Sequence, residues 1–203
     1  MDQYRENVRL GLLLFGIIAI VGGTLFSLFT LYVTHGYLYN SLPYWFMVIP
    51  DQAFLMHYTA YAWAGMVCLG YLIVTNWMDE RGVLRPGLAG TVAAVLFSFS
   101  FVIFYFSLEH HYYADMEGIT YKPAFSLGEE YIAWDEIVEM QPVANEGHFE
   151  LYYEFFVFKM EDGSTFRLES SEAFLEYRRN VYQIIRHHGG EVNRYIRIEE
   201  YQG

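Results

Sequence analysis

The chain has a single cysteine among its 203 residues, Cys68, and it falls inside a long apolar run. One thiol excludes an internal disulfide and any metal cluster built on several thiolates. Alone, it reads as a small buried packing residue. Basic residues are scarce as well: 12 Lys and Arg stand against 24 Asp and Glu, a net charge of −12. The deficit is uneven. Residues 1–108 carry four Arg against five acids, whereas residues 109–203 carry eight basic residues against nineteen acids. Within 109–154, eleven acids accompany one basic residue, Lys122. Such a surface repels phosphate backbones and anionic headgroups, which excludes nucleic acid as a partner. Catalytic signatures are absent too. There is no G-x-S-x-G elbow, no His-Glu-x-x-His, no phosphate loop and no Gly-rich dinucleotide turn. Carboxylates are plentiful, but a run of acids reads as a solvated face. The residues point to no enzyme and no cofactor.

Formal charge is also missing from three long stretches. Residues 10–33, "LGLLLFGIIAIVGGTLFSLFTLYV", hold none across 24 positions. Residues 53–75 contain only His57 as an ionisable imidazole, and residues 88–108 are again uncharged. A helix rises about 1.5 Å per residue, so roughly 20 residues cross the hydrocarbon core. Three membrane spans are expected, over 10–33, 53–75 and 88–108, leaving 109–203 as a soluble domain. The first run is longer than a signal-peptide core and lacks a small-x-small cleavage site, so it is expected to be retained. Arg5 and Arg9 precede it, and Arg81 and Arg85 lie between the second and third runs, while the 34–52 linker has no Lys or Arg. Positive residues stay in the cytoplasm. The charge rule therefore places the amino terminus inside the cell, and the 34–52 linker and the soluble domain outside. Pro43 and Pro50 oppose another helix in that linker. Its aromatics (Tyr37, Tyr39, Tyr44, Trp45, Phe46) suit a loop along the bilayer surface.

Beyond Leu108 the periodicity shortens. "YYADMEGITY" reads as a strand with an acidic turn before Gly118. "EYIAWDEIVEM" reads as a second strand with a bulge or half-turn near Asp135–Glu136, and "HFELYYEFFVFKM" as a long aromatic strand or bent pair. Asp162-Gly163 is a hairpin signal. Ser170 or Ser171 can cap a helix carrying Phe174, Leu175, Tyr177, Val181, Tyr182, Ile184 and Ile185 at helical spacing. Gly189-Gly190 end it, and the tail offers one more short strand. The fold class is a membrane α region followed by an α+β soluble domain.

"ADMEGITY", "YIAWDEIVEM", "FFVFKMEDGSTFRLES" and the closing helix "EAFLEYRRNVYQIIRHHG" together resemble the pleckstrin-homology-like (PH-like) domains of small bacterial membrane proteins. The resemblance covers residues 112–190. It implies a small antiparallel β-barrel capped by the C-terminal helix, with Ile132 and Trp134 pointing inward and Asp135 and Glu136 starting a turn. It also implies a membrane-tethered scaffold with a cytoplasmic domain, against the outside placement from the charge rule; both sides stay open here. A phosphoinositide pocket needs basic residues in the early loops. Lys122 is followed instead by Glu129, Glu130, Asp135, Glu136 and Glu139, which argues against that ligand.

The candidate functional residues fall in three groups. Asp135, Glu136, Glu139, Tyr152 and Tyr153 are candidates for docking a basic protein partner through complementary fields and aromatic anchors. Asp51 and His57 are candidates because ionisable groups in a span are functional by default. They motivate an alternative role as an accessory or regulatory subunit of a membrane transport or channel complex. His110 and His111, beside Glu109 and Asp115, hold the donor types of a His₂-carboxylate metal site; an interfacial polar collar explains them equally. His187 and His188 place favourable charge at a helix end. Small residues at four-residue spacing (Ala19/Gly23, Ala60/Ala64, Gly90/Ala94) allow close helix approach. The expected function is non-enzymatic: protein–protein interaction by an acidic domain at the membrane surface.

Overall fold

The three uncharged runs form helices α1 (Asp2–Tyr39), α2 (Asp51–Glu80) and α3 (Pro86–Glu109), each long and apolar enough to cross a membrane. The computed structural model describes residues 2–39, 44–83, 86–146 and 151–201. Pro43, Arg85 and the 148–150 start of the expected aromatic strand lie outside the described residues, as does the side chain of Arg5. The chain divides into two compact units, one of residues 1–41 with 51–110, the other of residues 42–50 with 111–203.

In the helical unit, α1 and α2 bury matching stripes at three- and four-residue spacing. Gly16, Ala19, Gly23, Ser27, Leu31 and His35 line α1, while Ala53, His57, Ala60, Ala64, Gly65, Cys68, Leu72 and Thr75 line α2. Glycine permits the closest approach. A Cβ on Gly65 would lie 2.6 Å from the Gly16 carbonyl oxygen, and one on Gly16 would lie 2.8 Å from Leu69. Two of the three expected small-residue pairs, Ala19/Gly23 and Ala60/Ala64, are thus in the packed seam. The third is not: Ala94 is exposed, and a Cβ on Gly90 would meet nothing within 4 Å. The Nε1–H of Trp63 donates to the Leu96 carbonyl at 2.7 Å, joining α2 to α3. Arg9 meets Asp79 at 3.6 Å, so the start of α1 lies beside the end of α2.

The second unit contains β1 (Phe46–Val48), β2 (Tyr112–Ala114), β3 (Gly118–Tyr121), β4 (Glu130–Ala133), β5 (Ile137–Glu146), β6 (Leu151–Met160), β7 (Thr165–Glu169), α4 (Glu172–His187), β8 (Glu191–Val192) and β9 (Ile196–Arg197). One sheet is antiparallel in the order β1-β2-β3-β4. The other has antiparallel β7-β6-β5, with β8 and β9 both parallel to β5.

Several expectations change here. α1 continues past Val33 to Tyr39, which shortens the linker. Its 46–48 part is no loop along a bilayer: Phe46 and Val48 alternate inward on β1, and β1 pairs with β2. The Phe46 ring packs edge-on against Phe174 at 5.2 Å, and Trp45 stacks on Trp134 at 6.1 Å. Phe46 is interior because alternation puts it on the core face of a strand, whereas Tyr37 stays exposed on α1. "YYADMEGITY" is two strands around the Asp115–Glu117 turn, since Asp115 Oδ1 accepts from the backbone N–H of both Glu117 and Gly118. "EYIAWDEIVEM" is β4, a 3₁₀ turn over Trp134–Glu136, and the start of β5. A Cβ on Gly118 would collide with the Ile132 carbonyl oxygen, so β3 and β4 pack at a distance only glycine allows.

The hairpin and helix signals read as expected. Gly163 takes φ +83 between β6 and β7, and Ser164 N–H donates to Asp162 Oδ1 at 2.8 Å. Ser171 caps α4 by accepting from Phe174 N–H at 3.1 Å, and Gly189 ends it at φ +90. Phe174, Val181 and Ile185 on α4 join Ile119, Trp134, Ile137, Met140, Phe156, Phe158 and Leu168 in the core.

Candidate functional site

Turns bring acids together on the second unit. The Asp115–Glu117 turn and the Trp134–Glu136 turn are tied by Trp134, whose backbone N–H donates to the Glu117 carbonyl at 3.2 Å and whose Nε1–H donates to the Asp115 carbonyl at 3.0 Å. Glu161 N–H donates to the Glu136 carbonyl at 3.1 Å, which adds the β6–β7 turn to the same edge. Trp134 is fully buried while Glu117, Asp135, Glu136 and Glu161 are exposed. Among the described residues, none of those four carboxylates makes an ion pair or a side-chain hydrogen bond. Tyr131 stands 53% exposed beside Glu117, Asp135 and Glu136. Loss of hydration, and then the carboxylates of Asp115, Glu117, Asp135 and Glu136, hold its phenol above the ordinary value. This is a local negative field around an accessible aromatic ring.

The other docking candidates are placed differently. Glu139 accepts from Asn193 Nδ2 at 2.6 Å and lies 3.9 Å from Lys159, so it anchors the C-terminal tail to β5. Tyr153 stacks on Phe156 at 5.5 Å, and the Arg178 guanidinium covers its ring at 4.8 Å. Both side chains are engaged in holding the domain together. Tyr152 is 57% exposed on β6. The acidic patch therefore draws on Asp135 and Glu136, and gains Glu117, Glu161 and Tyr131, which the strand pattern alone did not bring together.

In the helical unit His57 is 3% exposed and meets both other helices. Its Nε2 lies 2.7 Å from Thr30 Oγ1 on α1, and its Nδ1 lies 2.6 Å from Ser107 Oγ on α3. Thr30 Oγ1 also lies 2.6 Å from the Phe26 carbonyl, and Ser107 Oγ 2.8 Å from the Phe104 carbonyl. Two hydroxyls and a neutral imidazole bring three protons to four short contacts. A neutral ring thus donates to one hydroxyl and accepts from the other, which gives up its own carbonyl. Phe104 and Tyr61 close over the ring, at 4.7 and 5.6 Å. The result is a pin through three helices. Among the described residues no hydrogen bond joins Asp51, exposed at the start of α2, to His57.

Sequence reasoning missed the partners Thr30 and Ser107 and the buried His35, whose Nδ1 bonds the Leu31 carbonyl at 2.9 Å. The available signal was the spacing of Ser27, Thr30, Thr34 and His35, a polar line at helical period inside an apolar helix. His110 and His111 are both buried, and the His111 ring stacks on Tyr113 at 6.2 Å. Among the described residues, no three His, Cys, Asp or Glu side chains are arranged to hold a metal ion. His187 and His188 are exposed at the end of α4.

Two apolar grooves run along the helices. One of about 450 Å³ is lined by Trp63, Met66, Gly70, Val74 and Val92 among others, and one of about 330 Å³ by Leu12, Cys68, Gly90 and Phe97 among others. Neither gathers polar groups for chemistry. Set against family models, curated proteins and solved structures, the chain matches none of them.

Proposed function

We propose that this chain is a non-enzymatic multi-pass membrane protein whose acidic domain docks a protein partner with a basic surface. The observation that carries the reading is the edge of exposed carboxylates, Glu117, Asp135 and Glu136 beside the exposed Tyr131 ring with Glu161 on the adjoining turn, none of them in an ion pair among the described residues. A Lys or Arg side chain has both an ion-pair partner and an aromatic face there. The domain lies outside the cytoplasm. Arg9 and Arg81 favour a cytoplasmic position for the start of α1 and the end of α2, and the Arg9–Asp79 pair brings those ends together. Pairing of β1 with β2 requires the first interhelical linker and the C-terminal domain to share a membrane face, in accord with three crossings.

We read the domain as PH-like in plan, although its strands form two separate sheets and not the closed barrel that the resemblance implies. Four antiparallel strands, three more antiparallel strands and a packed closing helix support that reading. The plan departs from the resemblance where the linker between the first two helices supplies the first strand, and where β8 and β9 add to β5.

Co-purification from membranes tests the docking. The partner recovered with the unaltered protein is lost with Glu117→Gln, Asp135→Asn and Glu136→Gln combined, and its recovery falls as salt rises. A complex insensitive to both overturns the reading. His57 favours a second reading, an accessory subunit of a transport complex, because a buried imidazole pins all three helices. Unchanged solute flux in vesicles carrying His57→Ala overturns that one.

A further inference from the structure

We propose that the loop between β3 and β4, residues 122–129, is a membrane-surface foot: Phe125 and Leu127 insert into the headgroup layer of the bilayer that the three helices cross. The inference rests on the helices being membrane spans and not on which face the domain occupies.

The register of the first sheet carries the argument. Val48, Tyr112, Tyr121 and Glu130 form one row across it, through the pairs Val48↔Tyr112, Tyr112↔Tyr121 and Tyr121↔Glu130. Val48 precedes the start of α2 at Asp51 by three residues, and Tyr112 follows the end of α3 at Glu109 by three. Lys122 N–H donates to the His111 carbonyl at 3.0 Å, which extends the pairing one residue nearer the helix end. The loop therefore springs from the end of the sheet closest along the chain to two membrane entries.

The composition of the loop fits a lipid surface. "PAFSLG", residues 123–128, has no charge, inside a region of eleven acids. Phe125 is 63% exposed and Leu127 is 79% exposed. Phe125 also has φ +60, the one non-glycine residue in the left-handed region among the described residues. A bulky side chain rarely adopts that backbone, and such strain persists where the surroundings enforce it. Here Ser126 enforces it. Its N–H donates to the Pro123 carbonyl at 3.1 Å, and its hydroxyl bonds both the carbonyl and the N–H of Gly128 at 3.1 Å. The loop is braced with an exposed aromatic and an exposed aliphatic side chain two residues apart, residue types that interfacial segments bury at the headgroup level.

Charge selects the kind of lipid. Lys122 is only 9% exposed, and Glu129 and Glu130 follow the loop. Anionic headgroups are disfavoured, so the foot enters zwitterionic lipid by apolar insertion. It should be indifferent to salt, unlike docking at the acidic edge.

The full chain reconstituted in phosphatidylcholine bilayers tests this, with Cys68→Ala and a spin label at Leu127→Cys, Ser164→Cys or Val95→Cys. Collision with oxygen is compared with collision with a water-soluble nickel chelate. The label at 127 is expected to show an oxygen-to-nickel ratio at least threefold above that at 164, which sits on an exposed turn. A ratio equal to that at 164 overturns the proposal. So does shielding from both reagents, which would mean that protein covers the loop. Val95 on α3 reads the premise separately: if its label is as water-exposed as that at 164, the membrane reading fails and the proposal with it. Should Leu127→Cys not fold, hydroxyl-radical footprinting of the unaltered protein in the same bilayers reads the same question. Phe125 and Leu127 are then protected relative to Tyr195, after correction for exposure, and equal oxidation overturns the proposal.

Discussion

Replacing Phe46 with alanine separates a domain completed by the interhelical linker from one that stands without it. Phe46 is 2% exposed and packs against Phe174 at 5.2 Å and Tyr177 at 6.4 Å, so β1 is fastened to α4 through this ring. Truncating a buried Phe to Ala removes about 3–5 kcal/mol through lost burial and the cavity left behind. A domain of this size is stable by about 5–15 kcal/mol, so the loss is a large share of the total. With a urea dependence of about 1–3 kcal/mol per molar, the unfolding midpoint falls by about 2 M. The full chain in zwitterionic micelles is unfolded in urea, with tryptophan fluorescence as the probe. The stacked Trp45–Trp134 pair lies in the affected domain and reports its loss. Tyr37→Ala is the control, being 86% exposed on α1 and expected to change stability by less than about 0.5 kcal/mol. A midpoint for Phe46→Ala within about 0.3 M of the control refutes the placement of the linker strand in the core.

Three further outcomes follow from the geometry. Gly65→Leu forces a side chain into the Gly16 backbone, 2.6 Å from where a Cβ would sit, and should collapse helix packing, whereas Gly90→Leu should be tolerated; helical unfolding in detergent distinguishes them. His57→Ala loses two interhelical hydrogen bonds and the packing of Phe104, a loss of about 3 kcal/mol, with His57→Gln intermediate; equal thermal midpoints for all three forms would contradict the pin. Tyr131 has its phenol raised, so in the unfolded chain it ionises first, near its ordinary value of about 10. Its contribution to stability is therefore complete below that pH and is lost as pH rises through the folded value. Asp135→Asn with Glu136→Gln removes two of the charges that raise it. The Tyr131 titration followed by carbon NMR should move downward, and an unmoved midpoint would mean that the carboxylates are not beside the ring.

The helices were legible because an uncharged run of membrane length has few alternatives. The Asp162-Gly163 turn, the Ser171 cap and the Gly189 stop were legible because each fixes its own local geometry. The fate of Phe46 was not. An aromatic linker with two prolines reads equally as an interfacial loop or as a strand, and only pairing with β2, more than 60 residues away in sequence, decides between them. The acidic edge was half legible for the same reason. Asp135 and Glu136 stand out in "WDEI", but Glu117 and Glu161 reach them through hydrogen bonds between turns. Glu139 and Tyr153 looked like surface residues until the tail and Arg178 were seen to engage them. His57 was visible as an imidazole in a span; its hydroxyl partners were not, because Thr30 and Ser107 resemble any other small polar residue in a helix.

Labelling from one side of the membrane bears most directly on three crossings with the acidic domain outside. Cys68 is replaced by alanine, and a single cysteine is placed at Ser164, in the exposed β6–β7 turn, or at Val83, which is 55% exposed between α2 and α3. Intact cells are treated with a membrane-impermeant maleimide. Ser164→Cys should be modified in intact cells and Val83→Cys only after lysis. Modification of both from outside, or of Val83→Cys alone, contradicts the account.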